Sequence, residues 1–361
     1  MKKLAIALLL LFASPVNGQD LLDLIRKLRT ENQIPALGFA VVSPYSLNTS
    51  AIDGLASLAD SNAIGLHSRF HLGSNSKAVT ALMAFEMVKR GKIKWDTKII
   101  EVFPELKAEI HKKYRKTTLA DLLRHQSGLA PYTDGVSAMP WYHCTAGNSE
   151  CRLMFSKTVL REKPQKLGKR QKMLYSNAGY VVVSAMLEKV GELSFENLLE
   201  LYVNQTYSTN FKIGWPLQVD STGARGHLGS LDSLYPAPEQ VYKLGPVYAA
   251  PANMNGSIFD QAFLLQGLLQ ALSNEAGHMS RDEALNILFH KDGYALGWLN
   301  YGTDIPHRAA HDGSTGTFYC RWIIDDKYQR AFVINANAAH PEVLKAVNAL
   351  EKEFTLRYLS K

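Results

Sequence analysis

The sequence predicts an α+β fold: a layered domain with an inserted helical region. Three observations carry this. Strand-like alternation occurs near the N-terminus, at Ala36–Ser43 and around Ala51–Ser57. It returns near the C-terminus at Gly293–Leu299, His307–His311, Thr317–Ile324 and Arg330–Asn335. Between them, from Asp96 to about Pro216, the pattern is mostly helices and long loops.

Taken in order, Met1–Gly18 reads as a signal peptide. Lys2 and Lys3 precede an apolar run, Leu4–Ala13, with Val16 and Gly18 at the small positions before a cut. The run is too short to span a membrane. No cysteine follows it, so a lipid anchor is not expected. The mature chain, from about residue 19, is expected to be periplasmic or secreted. Leu21–Glu31 has helical periodicity. Ala36–Ser43 and Ala51–Ser57 read as paired strands, with Ser46-Leu47-Asn48 as the turn between them. Ser76–Arg90 is a strong helix that ends near Gly91. Gln218–Pro251 is loop-rich, Phe259–Ser273 is a helix, and Pro341–Leu359 is a final amphipathic helix. The division expected is an α/β part, about 19–76 and 218–361, and a helical part, about 77–217. No internal repeat and no low-complexity linker interrupts it.

The 361 residues suffice for a large core in one big domain or two. The net charge is +7, and loss of Lys2 and Lys3 would bring it to +5. Basic clusters at Lys107–Lys116 and Arg161–Lys172 read as solvated surface, with at most a weak attraction to anionic envelope polymers. No basic face with aromatic or groove-reading elements accompanies them, so no nucleic-acid partner is expected. No cysteine–histidine spacing suits zinc and H-E-x-x-H is missing, so neither a metal nor another cofactor is expected. Cys144 and Cys151 lie close in a polar loop, and an oxidising compartment would let them bridge. Cys320 follows a strand pattern and reads as a buried free thiol.

Three motifs carry chemistry. The first is Ser74-Asn75-Ser76-Lys77, at the start of the strong helix. A spacing of three puts Ser74 and Lys77 on one face of the first turn, and Ser76 points away. A serine hydroxyl needs an adjacent base, and a partly desolvated lysine can supply one. The helix N-terminus favours developing negative charge. The second is Tyr175-Ser176-Asn177, before an apolar helix from Tyr180. A tyrosine near a lysine ammonium has its phenolate favoured, and Asn177 can bond both the lysine and a substrate amide. The third is His311-Asp312-Gly313-Ser314, between strands. Gly313 permits close approach by a ligand, and the N–H groups of Ser74 and Ser314 can form an oxyanion hole. Each motif alone has a plainer reading: an N-cap serine, a loop tyrosine, a polar turn.

Together, in this order, the motifs resemble those of the penicillin-recognising serine hydrolases: class C β-lactamases, DD-carboxypeptidases and related esterases. Thr118–Leu129, with Arg124-His125-Gln126-Ser127-Gly128-Leu129, and Tyr294-Ala295-Leu296-Gly297-Trp298 are similar to the family's segments at matching places. The resemblance covers roughly Leu21 to Leu359. It implies a β-lactamase/transpeptidase-like fold, an antiparallel sheet flanked by helices with a helical insertion. It also implies acylation of Ser74, with Lys77 as its base, directly or through Tyr175. Tyr175 would relay a proton to the leaving group, Asn177 would orient Lys77 and the substrate, and water would release the acyl group. The substrate would be an ester or a peptide ending in a D-amino acid, with cell-wall peptides among the candidates, and the protein a monomer. One departure stands out. Class C β-lactamases carry lysine where this chain has His311, which weakens the grip expected on a substrate carboxylate. His311 is therefore expected to contact a carboxylate with a charge that varies near pH 7, or to tune Tyr175. A true β-lactamase and a non-catalytic binding protein are the alternatives.

Overall fold

The computed structural model describes residues 18–359, apart from 135–138, 142–143, 167–171, 222, 231–232, 239–243, 274–276 and 302–303. The expected signal segment and most of the run 166–172 lie outside the described residues.

The main sheet is antiparallel and draws on both ends of the chain. Its strands are β1 (Ala36–Ser43), β2 (Ser46–Gly54), β3 (Leu299–Tyr301), β4 (Ile305–Ser314), β5 (Tyr319–Asp325) and β6 (Arg330–Ala336). They lie side by side as β2-β1-β6-β5-β4-β3. The long helices are α1 (Gly18–Glu31), α2 (Ser76–Lys89), α3 (Asn148–Arg161), α4 (Asn177–Gly191), α5 (Ile258–Leu272) and α6 (Pro341–Tyr358).

Alternation along β1 decides the layers. Leu37, Phe39 and Val41 join Leu21, Ile25, Val347, Leu350 and Phe354 under α1 and α6. Ala40 and Val42 face the other way, into the core shared with α5, α2 and α4. Every residue of β1 is buried, because both faces of this central strand are covered. Burying one such Leu or Phe contributes about 1.5–3 kcal/mol.

Two local expectations need correction. The β1–β2 turn is only Pro44-Tyr45, and Ser46-Leu47-Asn48 belongs to β2. A tight hairpin uses two residues where a composition of Ser and Asn suggests a longer loop. The segment Gly293–Trp298 is not a continuous strand, and β3 begins only at Leu299. Gly297 adopts φ +81° there, and a Cβ would lie 2.8 Å from the Lys77 carbonyl oxygen. The segment is bent so that it can pack on the start of α2.

In the helical part, buried Arg152 on α3 bonds both carboxylate oxygens of Glu188 on α4, reaches Glu196, and donates to the Pro246 carbonyl. This ties α3 to α4, to Glu196 and to the segment at Pro246 with the charge paired. Cys144 and Cys151 are bridged, with Cα atoms 6.1 Å apart and a sequence separation of 7. For so short a loop, chain entropy gives roughly 2–3 kcal/mol. Paired Cys144→Ser and Cys151→Ser substitutions should lower unfolding free energy by about that amount in urea titrations. An unchanged midpoint would show that the bridge contributes nothing.

Candidate active site

Ser74 sits one step earlier than its spacing implies. It lies in a 3₁₀ turn, Gly73–Asn75, and α2 proper begins at Ser76. Gly73 has φ +52°, and a Cβ there would lie 2.6 Å from the Ser314 nitrogen. The turn therefore needs glycine to press Ser74 against the end of β4. His71 fixes this geometry by accepting from the Gly73 N–H at 3.1 Å through Nδ1. Ser74 remains partly exposed, whereas Ser76 is buried. The Ser76 hydroxyl donates to the Gly73 carbonyl at 2.7 Å and accepts from the Met254 N–H at 3.2 Å.

Lys77 is fully buried. Its Nζ lies 2.7 Å from Asn177 Oδ1, 2.8 Å from the Pro251 carbonyl and 3.3 Å from Ser74 Oγ. All three partners are neutral oxygens, and burial pushes its pKa well below the usual lysine range. The Nζ also stands 4.5 Å from the centre of the Tyr175 ring and 5.5 Å from that of Tyr180. Those ring faces favour the ammonium and partly oppose the burial.

Ser176 caps α4. Its hydroxyl accepts from the Gly179 N–H at 3.1 Å and donates to the Ala130 carbonyl at 2.7 Å. The cap sets Asn177 at the first helical position and leaves Tyr175 just before the extended Ser176. Asn177 Nδ2 donates to the Tyr132 carbonyl, which turns its Oδ1 toward Lys77. Tyr175 departs from the expectation of a favoured phenolate. Burial pushes its pKa up, and only the hydrogen bond with Ser74 opposes this. It therefore keeps its proton at neutral pH.

On β4, residues alternate between the site and the opposite face. His311 and Gly313 point toward Ser74, and Asp312 points away, as side-by-side strand residues must. The Asp312 carboxylate pairs with Arg321, its cross-strand partner on β5, at 2.7 and 2.8 Å. Gly313 packs so tightly that a Cβ would lie 1.9 Å from the Leu72 carbonyl oxygen. His311 contradicts the expectation of a titrating cation. Asn75 Nδ2 donates to Cys320 Sγ at 3.0 Å, so its Oδ1 faces the ring and accepts from His311 Nδ1 at 3.1 Å. His311 Nε2 then accepts from the Tyr294 hydroxyl at 2.9 Å. Burial, and next the nearby Lys77, bring its pKa down to about 3. Both ring nitrogens are engaged within the protein, so this ring is no cation for a substrate carboxylate. Cys320 is a buried free thiol, as its strand pattern suggests.

The structure thus gathers Ser74, Lys77, Tyr175, Asn177, His311, Gly313 and Ser314 around the start of α2. Sequence reasoning did not single out Tyr294, Asn75, the Pro251 carbonyl or His125 for the site. Among the described residues no His/Cys/Asp/Glu cluster could hold a metal ion, and no helix is long and apolar enough to cross a membrane.

Three of the buried histidines, all at or beside the site, set an acid limit. Burial lowers His71 to about 4, His125 well below the usual value, and His311 to about 3. In the unfolded chain each titrates near ~6.5. Between those values the unfolded chain binds more protons, so stability is full above about 6.5 and falls as pH falls. Well below ~6.5, each pH unit should cost about 1.4 kcal/mol per histidine. Urea midpoints at pH 7, 6 and 5 should fall in that order; a flat series would contradict the three buried neutral rings.

The Beta-lactamase family model matches residues 21–356. Penicillin-binding protein 4 of Amycolatopsis lactamdurans is 24% identical over 304 residues, covering 80% of this chain and 77% of its own. Penicillin-binding protein 4* of Bacillus subtilis is 23% identical over 267 residues, covering 68% of this chain and 55% of its own. The unguisins hydrolase of Aspergillus violaceofuscus is 24% identical over 176 residues, 47% of this chain, and that match spans only 30% of the hydrolase. Among solved structures, the octameric penicillin-binding protein homologue from Pyrococcus abyssi has a TM-score of 0.73 at 17% identity, covering 93% of this chain and 77% of that one. The structure of SurE gives 0.74 at 19% identity, covering 92% and 74%. These structural likenesses place the fold as β-lactamase/transpeptidase-like, in agreement with the antiparallel sheet and its helices.

Proposed function

Because this chain belongs to the Beta-lactamase family, we propose that it is a serine hydrolase acting through an acyl-serine on an ester or a peptide ending in a D-amino acid. One observation carries the reading: the Lys77 amine stands 3.3 Å from Ser74 Oγ with only neutral partners. A neutral amine has two N–H bonds and one lone pair. Asn177 Oδ1 and the Pro251 carbonyl, the two nearer acceptors, take the N–H bonds. The lone pair is left for the Ser74 hydroxyl.

Lys77 takes the Ser74 proton as Oγ attacks the substrate carbonyl carbon. The carbonyl oxygen becomes an oxyanion between the Ser74 and Ser314 N–H groups. As that intermediate collapses, protonated Tyr175 gives its proton to the leaving oxygen or nitrogen and regains one from the Lys77 ammonium. Water then adds to the acyl carbon and gives a proton to the Lys77 amine; as the bond between the acyl carbon and Ser74 Oγ breaks, that proton returns to Oγ, and the acid and the Ser74 hydroxyl are freed. Since His311 is neutral and internally bonded, neutral esters fit this site better than substrates with a carboxylate beside the scissile bond, the D-amino-acid-terminated peptide and the β-lactam alike. The Cys144–Cys151 bridge supports an exported protein.

The test is a panel of p-nitrophenyl ester, D-alanyl-D-alanine peptide and chromogenic cephalosporin, each against wild type and Ser74→Ala. Ester or peptide turnover that vanishes in Ser74→Ala is expected. Turnover of the cephalosporin alone would turn the reading to a β-lactamase. No Ser74-dependent turnover of any of them would favour a binding protein.

A further inference from the structure

The strongest unassigned feature is His125. It follows the short helix Leu119–Leu123 and is fully buried. Its backbone is left-handed, with φ +58°, which is uncommon and costly for a residue other than glycine. From that conformation it holds both neighbours of Tyr175. Its carbonyl accepts from the Leu174 N–H at 2.8 Å, and its ring Nδ1 accepts from the Ser176 N–H at 3.1 Å. Its ring also lies against Tyr175, with centroids 4.4 Å apart, and is backed by Tyr294 at 4.6 Å and Tyr180 at 5.3 Å. Because Nδ1 accepts, the ring proton resides on Nε2. Among the described residues Nε2 has no hydrogen-bond partner. An unsatisfied buried donor costs about 1–3 kcal/mol. One residue thus carries two local costs, and both fall where it grips the tyrosine.

We propose that His125 is a positioning residue for Tyr175: it clamps the chain on both sides of that tyrosine and fixes the ring through which the leaving group is protonated. This rests on the serine-hydrolase reading above. His125 touches no reacting atom in this account and acts only through Tyr175. The clamp has a chemical signature. A leaving group that departs easily as an anion needs little proton donation, and a poor one needs much. A misplaced Tyr175 should therefore slow poor leaving groups far more than good ones.

The experiment compares His125→Asn, His125→Gln, His125→Gly and Tyr175→Phe on p-nitrophenyl and phenyl butyrate, with thermal unfolding for each. Asparagine keeps an acceptor at the Nδ1 place and tolerates the left-handed backbone. Glutamine moves its amide one bond too far. Glycine relieves the backbone but offers no acceptor. The Asn variant should keep kcat within about tenfold of wild type. The Gln and Gly variants should lose on the order of a hundredfold in kcat on phenyl butyrate, the cost of about 1 Å of misplacement. Their loss on p-nitrophenyl butyrate should be much smaller and KM little changed, matching Tyr175→Phe. If folded Gly or Gln variants work like wild type, or if their losses are equal on both esters, the proposal is overturned while the function stands. If wild type shows no Ser74-dependent hydrolysis of either ester, of the D-alanyl peptide or of the cephalosporin, the serine-hydrolase reading falls, and this proposal with it.

Discussion

Lys77→Ala is expected to cut turnover by about a hundredfold to ten-thousandfold, the usual worth of a general base. The cause is local. Ser74 loses the amine 3.3 Å away, and Tyr175, its other hydrogen-bond partner, is held in the protonated form by burial and is a poor base. Asn177 Oδ1 and the Pro251 carbonyl also lose their donor, so a modest fall in thermal stability accompanies the loss. In wild type, kcat/KM should rise with pH through the Lys77 pKa, which burial lowers, and then level off. The sign follows because the active form is the unprotonated one. Tyr175→Phe should also slow turnover, and the double variant should lose less than the two losses combined if both serve one proton path. The check is kcat and kcat/KM across pH for the three variants. Near wild-type turnover in folded Lys77→Ala would remove the lysine from the mechanism.

Gly313→Ala should disable the site from the strand side. A Cβ at Gly313 would lie 1.9 Å from the Leu72 carbonyl oxygen and 3.0 Å from the Asn75 nitrogen. Both atoms are backbone, one just before the turn that carries Ser74 and one within it, so β4 or the turn must move. Overpacking of this kind costs typically about 1–3 kcal/mol. Moving Ser314 away from the Ser74 N–H removes oxyanion donors worth about a hundredfold to a thousandfold. Both losses should appear together, as a lower melting temperature and a lower kcat. An alanine variant with wild-type kcat would show that the Ser314 N–H is not part of the hole.

What the sequence made legible is what short-range spacing encodes. Ser74 and Lys77 are three apart, so one turn brings them together whatever the rest of the chain does. Tyr175-Ser176-Asn177 is legible because Ser176 is a helix cap, which fixes its neighbours. Asp312 points away from the site because a strand alternates. His311 was misjudged because its charge depends on Asn75, Tyr294 and Lys77, which lie far apart in sequence and meet only in the fold. The Tyr175 expectation failed for a like reason. A lysine next to a tyrosine favours phenolate only if that lysine is charged, and burial lowers the pKa of one and raises that of the other. The irregular Gly293–Trp298 segment was hidden because a glycine in an apolar run does not reveal that a helix start will press against it. His125 lies in the run Thr118–Leu129, but nothing near it in sequence signals that it grips residues 174 and 176.

The central claim, that Ser74 and not Ser76 is the nucleophile, is tested most directly by peptide mass spectrometry of protein treated with a fluorophosphonate. Ser74 is partly exposed beside the Lys77 amine, whereas the Ser76 hydroxyl is buried between the Gly73 carbonyl and the Met254 N–H. The account predicts a single phosphonyl adduct on Ser74, lost in Ser74→Ala and strongly slowed in Lys77→Ala. An adduct on Ser76, or undiminished labelling of Ser74→Ala, would contradict it.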